Sequence, residues 1–498
     1  MPRNIEGPYR SSLVSALLLT VCAAPCGAGP LLHPVFQDHA VLQREKPIRV
    51  WGWARPSARV EVSLGGATAT ARADETGRWQ AILPPMQAGG PYELVVREEG
   101  GAEQSLRDVL IGDVWLCAGQ SNMELQVRYT LNAYGEITGG ARDSIRMFTI
   151  ARASSAVPLE TYDQPPSWQP ASPQTVGDFS ATCYYFAREL QKTVDVPMGL
   201  INASWGGTKI QPWMSAGGLE ASGHGSAVAL LERYRSDAPG ALAAWGEVWK
   251  AWWAERAPAD VRAPWSPETN EARDWPVAPQ GFGAWETWGD PMLEAFDGMM
   301  WYRTSFTLTQ AQAAQDAVLV LGPADEVDHT WLNGHFVGTM SDYRAERRYD
   351  VPAGWLRAGE NVLAVNVLDT YGHGGLYGPP EGRALHLSDG TRIPLAGPWR
   401  YYVIAAPTDV PPSAPWDVRG GASMIYNAMV APLRGYGLRG AVWYQGESNT
   451  REPEDYEQLL SGLMQDWRRQ FGEGLPFLVV QLAGFGPPLS QPAESGWA

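Results

Sequence analysis

Three short polar turns hold the residues of this sequence that are best suited to chemistry, and each turn follows an apolar run. The first turn carries Ser121, the second carries Gly206 and Gly207, and the third begins with Gln445. A serine hydroxyl can attack a carbonyl carbon, while backbone N–H groups and a side-chain amide can stabilise the negative oxygen that forms. These residue types would suffice for acyl transfer. A polar turn without catalytic function is the other interpretation of Ser121, because serine is an ordinary turn residue.

The elements around these turns must bring them together, and their pattern predicts a parallel α/β sheet. The apolar runs have the length of buried strands, and helical spacings lie between them. Because the carboxyl ends of parallel strands meet at one edge of a sheet, three turns that are distant in sequence could converge there. The predicted strands are 109–117, 145–150, 196–201, 439–444 and 475–482, and the predicted helices are 180–192, 423–433 and 455–471.

Two other regions are predicted to be β structure outside this α/β domain. Short alternating runs near the N-terminus predict an immunoglobulin-like β-sandwich. A helical, Trp-rich segment that includes 219–253 precedes a second, jelly-roll-like β-sandwich, in which Asn333-Gly334 is a strong hairpin signal. The predicted boundaries are 30–107 for the first sandwich, 108–214 and 416–498 for the α/β domain, and 215–415 for the insertion, whose sandwich spans about 290–405.

The composition describes a large, acidic, globular chain. Its 498 residues are too many for one ordinary core, and 45% are hydrophobic while 18% are charged. A net charge of −16 argues against nucleic acid or an anionic membrane as partner. The 23 tryptophans are unusual. Their flat faces can bind sugar rings, but we expect most of them to fill the cores of the β regions.

The N-terminus has the pattern of a secretory signal peptide, predicted over 1–28. Arg3 and Arg10 precede an apolar run from Leu13 to Ala24, and small residues follow it. This pattern predicts a secreted or periplasmic protein. No other segment is long and apolar enough to cross a membrane. Two cysteines, Cys117 and Cys183, remain after the predicted cleavage. They do not make a disulfide framework, and we expect each to be a small core residue.

Long motifs at the three turns resemble the sialate O-acetylesterase family of the SGNH-hydrolase superfamily. Residues 108–123, ending in Ala-Gly-Gln-Ser-Asn-Met, resemble its nucleophile block. Residues 200–215, with Ala-Ser-Trp-Gly-Gly-Thr, and residues 426–449, with Trp-Tyr-Gln-Gly-Glu-Ser-Asn, resemble two further blocks. The resemblance also covers the N-terminal β region through Phe36-Gln37-Asp38. The inserted β region is instead similar to sugar-binding jelly rolls of glycoside-processing enzymes.

The resemblance implies a flavodoxin-like, three-layer α/β/α hydrolase that removes O-acetyl groups from sugars. It implies no metal and no cofactor, and its partner would be an acetylated sugar or glycan. The family's nucleophile corresponds to Ser121, and its oxyanion donors correspond to the Gly206-Gly207 turn and Gln445; which glycine donates stays open. The supporting residues are Gly119, Gln120, Asn122, Gly446 and Glu447. Glu447 and Glu124 could orient neighbours, but a turn or capping role is an equal interpretation.

One family element is missing from the sequence. The family's catalytic base is a histidine in an Asp-x-x-His motif near the C-terminus, and this sequence contains no such motif. The best substitute is His373, which lies among glycines, although a surface-loop histidine is the simpler interpretation. Because loss of a triad member typically costs about 10⁴-fold in rate, we expect a C-terminally truncated esterase with weak or no activity. The seven histidines are His33, His39, His224, His329, His335, His373 and His386.

A second hypothesis follows from the missing base. The chain could be a secreted carbohydrate-binding protein whose α/β domain is vestigial, with the two β regions holding the glycan. A metal-dependent hydrolase is disfavoured because no His/Cys/Asp cluster has the spacing of metal ligands. Binding without hydrolysis would favour the second hypothesis over the esterase. The sequence leaves open whether the sugar is sialic acid, xylose or another acetylated residue.

Overall fold

The computed structural model describes residues 30–269, 271–405 and 411–484. The predicted signal peptide lies outside these residues, as does the segment after 484. The described chain is a mixed α/β structure with one large mixed sheet and several further β-sheet regions. Of the helices within the described residues, none combines the length and hydrophobicity needed to cross a bilayer.

The N-terminal region is made entirely of short strands. Burial alternates along them, as expected for strands with one face in a core. One antiparallel pair, β2–β5, faces a sheet in which β4, β3 and β6 are neighbours. The immunoglobulin-like classification of this region stays a prediction. The strands are β1 (Val41–Gln43), β2 (Ile48–Trp53), β3 (Arg59–Leu64), β4 (Ala67–Arg72), β5 (Arg78–Leu83) and β6 (Gly89–Glu98).

The next strand, β7 (Glu103–Gly119), belongs to both the N-terminal region and the α/β domain. Its first half pairs antiparallel with β6. Its second half pairs parallel with two strands of the α/β domain. Asp108, where the sequence predicted a domain boundary, has a positive φ of 56° in the middle of this strand. The predicted boundary therefore falls inside one continuous strand. The positive φ at Asp108 does not end the strand, which runs on to Gly119.

The first part of the α/β domain contains the elements that follow β7. Ser180 caps the longest of its helices, with its hydroxyl accepting a hydrogen bond from the backbone N–H of Cys183. The elements are α1 (Ser121–Glu124), α2 (Ala133–Thr138), β8 (Arg142–Thr149), β9 (Trp168–Ala171), α3 (Ala181–Leu190) and β10 (Met198–Ser204). All four elements predicted here, three strands and a helix, are found: the predicted strand 109–117 lies within the longer β7, and the other three differ in their boundaries by a few residues.

The insertion begins with three helices where the sequence predicted one helical segment. They are α4 (Ala216–Ala221), α5 (Gly225–Ser236) and α6 (Ala238–Arg256). Two sheets follow, one with the order β15-β14-β17-β12-β21 and one with the order β16-β13-β19-β20. The elements are β11 (Gly283–Ala284), β12 (Gly298–Leu308), α7 (Gln310–Ala313), β13 (Ala317–Gly322), β14 (Val327–Leu332), β15 (His335–Met340), β16 (Arg347–Val351), β17 (Gly359–Asp369), β18 (Gly375–Leu376), β19 (Ala384–Leu387), β20 (Arg392–Pro394) and β21 (Arg400–Ala405).

Two details of the insertion follow directly from its sequence. The predicted hairpin at Asn333-Gly334 is confirmed: both residues have positive φ angles, 50° and 83°, and they join β14 to β15. Helix α6 packs on the five-stranded sheet through a cluster of indoles centred on Trp249, Trp301 and Trp331. These tryptophans are buried, so they fill a core, as the sequence led us to expect for most of them.

The chain then returns to the α/β domain through β22 (Gly440–Tyr444), α8 (Pro453–Phe471) and β23 (Phe477–Val479). The sheet order is β9-β8-β10-β7-β22-β23, and every neighbouring pair except β8–β9 is parallel. The regular helix predicted over 423–433 is wrong in detail. A π-helical turn at Tyr426–Val430 and a 3₁₀ turn at Ala431–Leu433 take its place, and Pro432 cannot continue a regular helix.

The expectation for the two cysteines is also wrong. Cys117 of β7 and Cys183 of α3 form a disulfide, with their Cα atoms 5.9 Å apart. Both residues are fully buried, so they do lie in an apolar environment as expected. They are paired, however, and are not separate core residues. Their 66-residue separation gave no indication of pairing, since only the fold brings the helix against the strand.

Candidate active site

The turn after β7 is locked against the neighbouring strand β22. Gly119 has a φ of 142°, which is costly for any other residue. A Cβ atom on Gly119 would lie 2.1 Å from the carbonyl oxygen of Tyr444, so there is no space for a side chain. The backbone N–H of Gln120 donates to the same carbonyl at 3.0 Å. Glycine at this position therefore lets the chain turn while it touches β22.

Ser121 is the first residue of the short helix α1, and its side chain is exposed. Its hydroxyl makes no hydrogen bond to any other described residue, and neither does its backbone N–H. The first N–H groups of a helix have no acceptor within the helix, which leaves them available to a ligand. The structure thus places a free hydroxyl and a free N–H on the same residue at the end of a buried strand.

The turn after β10 lies directly beside this serine. The backbone N–H of Trp205 donates to the carbonyl of Gly119 at 3.0 Å, which joins the two turns. A Cβ atom on Gly206 would lie 3.5 Å from the Cβ of Ser121. Gly207, with a φ of 73°, instead faces Arg419. Of the two glycines, Gly206 is therefore the one that lies against the serine.

The Gly206 N–H already has a partner. It donates to Oε2 of Glu124 at 2.8 Å, and Oε1 of the same carboxylate accepts a hydrogen bond from Nε of Arg152 at 2.6 Å. Arg152 lies just beyond β8, at a fourth strand end of the parallel sheet. Glu124 was considered from the sequence and Arg152 was not, although the position of Arg152 just after a predicted strand could have indicated it. The Glu124 carboxylate thus accepts the hydrogen bond of a backbone N–H that was predicted to bind an oxyanion.

The third turn is tied to the first two by buried amides. Nε2 of Gln445 lies 3.2 Å from Oε1 of Gln120, 3.0 Å from the carbonyl of Thr208 and 2.8 Å from Oδ1 of Asn449. A primary amide has only two N–H groups, so these three acceptors use all of them. Gln445 would have to release one bond before it could donate to a substrate. Its predicted role as an oxyanion donor stays a prediction.

A tyrosine fixes the orientation of the Gln445 amide. The hydroxyl of Tyr456 donates to the Gln445 side chain at 3.0 Å, and the same hydroxyl lies 2.6 Å from the Gln445 carbonyl. Burial raises the pKa of Tyr456 to about 12, so this hydroxyl keeps its proton at neutral pH. Tyr456 lies in α8 and was not identified from the sequence. The contact between Tyr456 and Gln445 therefore carries no charge at neutral pH.

Asn122 and Glu447 connect the first turn to the third. Nδ2 of Asn122 donates to Oε1 of Glu447 at 2.8 Å, and the other carboxylate oxygen is buried without a hydrogen-bond partner among the described residues. The backbone N–H groups of Gly446 and Ser448 approach Oε1 of Gln120, at 3.5 and 3.2 Å. The supporting residues chosen from the sequence thus form one hydrogen-bonded unit behind Ser121.

A cleft of about 330 Å³ opens beside this unit, between the α/β domain and the inserted β region. Burial raises the pKa of Glu326 in its wall, and the positive charges of Arg419 and Arg451 partly oppose the shift. The two guanidinium groups form no hydrogen bond or ion pair with other described residues. On the α/β side the lining includes Gly207, Lys209, Glu447 and Ser448, and on the β side it includes Glu326, Ser341, Leu368 and Thr370.

Within the described residues, no histidine forms a hydrogen bond or an ion pair with the three turns. His373 is exposed, and its Nδ1 lies 3.6 Å from a carboxylate oxygen of Glu286 in the inserted region. His39 pairs with Asp108 at 2.7 Å, near the start of the α/β part of β7. The structure therefore does not bring His373 to Ser121. Across the same residues, no group of three or more histidines, cysteines or acidic residues could hold a metal ion.

Comparisons with known proteins find relatives for two parts of the chain. Residues 111–236 and 413–494 match the family model described as carbohydrate esterase, sialic acid-specific acetylesterase. Residues 299–361 match the galactose-binding domain of β-galactosidase. The first match covers most of the α/β domain, and the second lies in the inserted β region. The chain is thus similar to the sialic acid-specific carbohydrate esterases over two segments that together make up less than half of its length.

Individual relatives cover different parts of the chain. The sialate O-acetylesterase of Mus musculus is 34% identical over 224 residues, which are 42% of this chain and 41% of that protein. The aligned part is therefore less than half of this curated relative. A β-galactosidase of Photobacterium profundum is 37% identical over 67 residues, 14% of this chain and 6% of that protein. A carbohydrate acetylesterase structure from Xanthomonas citri has a TM-score of 0.49 and 22% identity, over 91% of this chain and 60% of that one.

Proposed function

We propose that this chain is a serine esterase that removes O-acetyl groups from sugars, with Ser121 as its nucleophile. The observation that carries the proposal is the free hydroxyl of Ser121 at the point where three strand-end turns meet. In the proposed reaction, Oγ of Ser121 attacks the acetyl carbonyl carbon and its proton passes to a water molecule, since no histidine among the described residues contacts Ser121. The C–O bond to the sugar then breaks, the sugar alcohol takes a proton, and water hydrolyses the acetyl-serine to acetate.

The oxyanion would be held by the free backbone N–H of Ser121 and by Gly206. Donors of this kind typically contribute roughly 3 kcal/mol each to lowering the barrier. The Gly206 N–H becomes available only when the carboxylate of Glu124 moves away, since the two are hydrogen bonded at 2.8 Å. Gln445 would be a third donor after it exchanges one of its bonds.

We infer an acetylated sialic acid as the substrate, in the manner of a sialate 9-O-acetylesterase. Arg419 and Arg451 support this choice, because two guanidinium groups without ion-pair partners among the described residues face a cleft beside the serine. Guanidinium groups bind carboxylates in a bidentate manner, and sialic acid carries a carboxylate.

We also propose a three-layer SGNH-hydrolase architecture for the α/β domain, with an immunoglobulin-like N-terminal sandwich and an inserted jelly roll. The five parallel strands and the helices α3 and α8 support the first part. A secreted or periplasmic location is a further proposal. Its support is the Cys117–Cys183 disulfide, because disulfides persist mainly in oxidising compartments.

The proposal is tested by hydrolysis of p-nitrophenyl acetate and of 9-O-acetyl sialic acid. We expect slow turnover, because the usual histidine base was not found in this sequence, and we expect Ser121→Ala to abolish it. Ser167→Ala, which changes an exposed serine away from the turns, is the matched control. Fast turnover that depends on Ser121 would refute the slow-enzyme expectation. Turnover that survives Ser121→Ala, without an acetylated Ser121 by mass spectrometry, would refute the nucleophile.

A secreted carbohydrate-binding protein is the second candidate function. Two observations favour it: residues 299–361 match a galactose-binding domain, and the Gly206 amide is occupied by Glu124. Glycan binding that persists in the Ser121→Ala variant, together with hydrolysis at background in the unaltered chain, would select this candidate.

A further inference from the structure

We propose that a second cavity next to the cleft binds further sugar residues of an oligosaccharide whose acetylated residue lies at Ser121. This inference rests on the proposed function and extends it to the length of the substrate. The second cavity has a volume of about 440 Å³. Ser341 and Asp417 line both this cavity and the cleft, so the two spaces adjoin. Each lies within the usual range of small-molecule sites, about 300–1,000 Å³.

The walls of the second cavity have the chemistry of a sugar site. The ring of Tyr234 stacks on Trp416 with centroids 4.2 Å apart and planes 13° apart, and Trp355 lies elsewhere in the same lining. Flat aromatic rings with a polar edge suit the apolar faces and hydroxyl groups of a pyranose. Burial raises the pKa of Tyr234, so its phenol remains a hydrogen-bond donor.

Ser341 provides an independent indication of a ligand. Ser341 is only 5% exposed, and its hydroxyl has no hydrogen-bond partner among the described residues. A buried hydroxyl without a partner is unfavourable, because it loses its bonds to water and gains nothing in return. The residue lines both cavities, so a sugar hydroxyl that passes from one to the other could supply the missing bond.

The charges around the second cavity favour neutral sugar residues. Arg348 in its lining forms an ion pair with Glu346 at 3.3 Å, so its positive charge is already balanced. Asp350 and Asp417 add negative charge, and Asp417 accepts the backbone N–H groups of Arg419 and Gly420, at 2.9 and 2.7 Å. Among the described residues, the second cavity has no cation in its lining besides the paired Arg348, whereas the cleft has Arg419 and Arg451 beside its acidic residues. The expected ligand therefore has one acidic or acetylated end and a neutral continuation.

The cavity exists only where the insertion folds back on the α/β domain. Trp355 follows β16, within the segment that matches the galactose-binding domain, whereas Trp416 lies in the second segment that matches the esterase family. Tyr234 comes from α5 at the start of the insertion. Neither domain alone would form this site, which gives the insertion a direct part in binding the substrate.

The test measures binding to the Ser121→Ala protein by calorimetry, with two matched pairs of probes. One pair is 9-O-acetyl-N-acetylneuraminic acid and the same residue linked to lactose. The other is acetylated xylose and acetylated xylotriose. We expect the longer probe of at least one pair to bind about tenfold tighter, the effect of one good additional contact. Trp355→Ala and Trp416→Ala should remove this gain in affinity and leave the affinity for the short probe unchanged. Trp252 is a half-buried tryptophan outside the cavity, so the control variant Trp252→Ala should keep the full gain.

Other outcomes separate this proposal from the proposed function. If neither pair shows tighter binding of the longer probe, or if Ser341→Ala and both tryptophan variants keep the full gain, the second site is wrong. Ser341→Ala changes a single hydroxyl, so it reports on binding even if a tryptophan variant misfolds. Absence of turnover in the unaltered chain with a length-dependent gain would refute the esterase and leave the site. Turnover in the unaltered chain without any gain in affinity for the longer probes would support the esterase and refute the second site.

Discussion

Loss of the Cys117–Cys183 disulfide should destabilise the strand that carries the candidate nucleophile. The bond joins β7 to α3, and Cys117 lies two residues before the turn at Gly119. Both cysteines are fully buried in the same hydrophobic cluster. The perturbation is the double variant Cys117→Ala/Cys183→Ala, or reduction of the unaltered chain.

The expected size follows from the length of the loop that the bond closes. For a separation of 66 residues, the chain-entropy relation gives about 4 kcal/mol at 25 °C. Since 1.4 kcal/mol is a factor of ten in an equilibrium constant, local opening should become up to about a thousandfold more frequent. The value is an upper bound because engineered and native bonds often give less than the relation predicts.

Hydrogen–deuterium exchange measures this opening at the residues concerned. Peptides that cover β7 and α3 should exchange much faster in the double variant, while peptides from β12 and β17 of the insertion serve as internal controls and should not change. A reductant should reproduce the effect in the unaltered chain and have no effect on the variant. Exchange of β7 and α3 that differs by less than about tenfold would refute the reasoning, as would failure to recover the disulfide-linked peptide pair by mass spectrometry.

Three further changes test the site and its surroundings. Gly119→Ala should cost about 3 kcal/mol or more, measured by urea unfolding, because its Cβ would lie 2.1 Å from the Tyr444 carbonyl oxygen; an unchanged midpoint would contradict this. Gln445→Ala should lower the free energy of unfolding by roughly 2–4 kcal/mol, because it leaves buried acceptors unpaired. The control Gln169→Ala changes an exposed side chain and should lower it by less than about 0.5 kcal/mol. Burial raises the pKa of Asp369 to about 7, so the folded state holds this proton where the unfolded chain releases it, and stability falls as pH rises from about 4 to 7. Asp369→Asn should therefore gain thermal stability over the unaltered chain at pH 8 but not at pH 4; equal differences at both would refute it.

The sequence was most informative where hydrophobic pattern and turn chemistry act locally. The apolar runs became β10 and β22 because strands buried on both faces are mainly apolar along their length, and a run of that kind is visible without any structure. The hairpin at Asn333-Gly334 needed two residues that tolerate positive φ, and those residue types are recognisable. The three polar turns could be identified for the same reason.

The sequence was least informative where contacts depend on distant segments. Nothing near Cys117 indicates that Cys183 will be its neighbour, since that contact exists only after α3 packs on β7. The continuity of β7 through Asp108 was hidden, because an acidic residue between two different patterns resembles a boundary. Arg152 was missed because its partner Glu124 is 28 residues away in the chain, although both follow strands of the same parallel sheet.

The position of Glu124 connects these observations to the proposed chemistry. Its carboxylate accepts the hydrogen bond of the Gly206 backbone N–H, so that N–H already has a partner in the free protein. A developing oxyanion is also an acceptor for this N–H, so substrate and carboxylate compete for one donor. Arg152 holds the other oxygen and keeps the carboxylate near by when it is displaced. The Glu124 carboxylate must move before the Gly206 N–H can bind the oxyanion. The free energy of that movement reduces the stabilisation that this N–H gives to the oxyanion. The geometry therefore favours a substrate that has enough other contacts to offset this cost, and a longer sugar chain along the adjoining cavity would supply them.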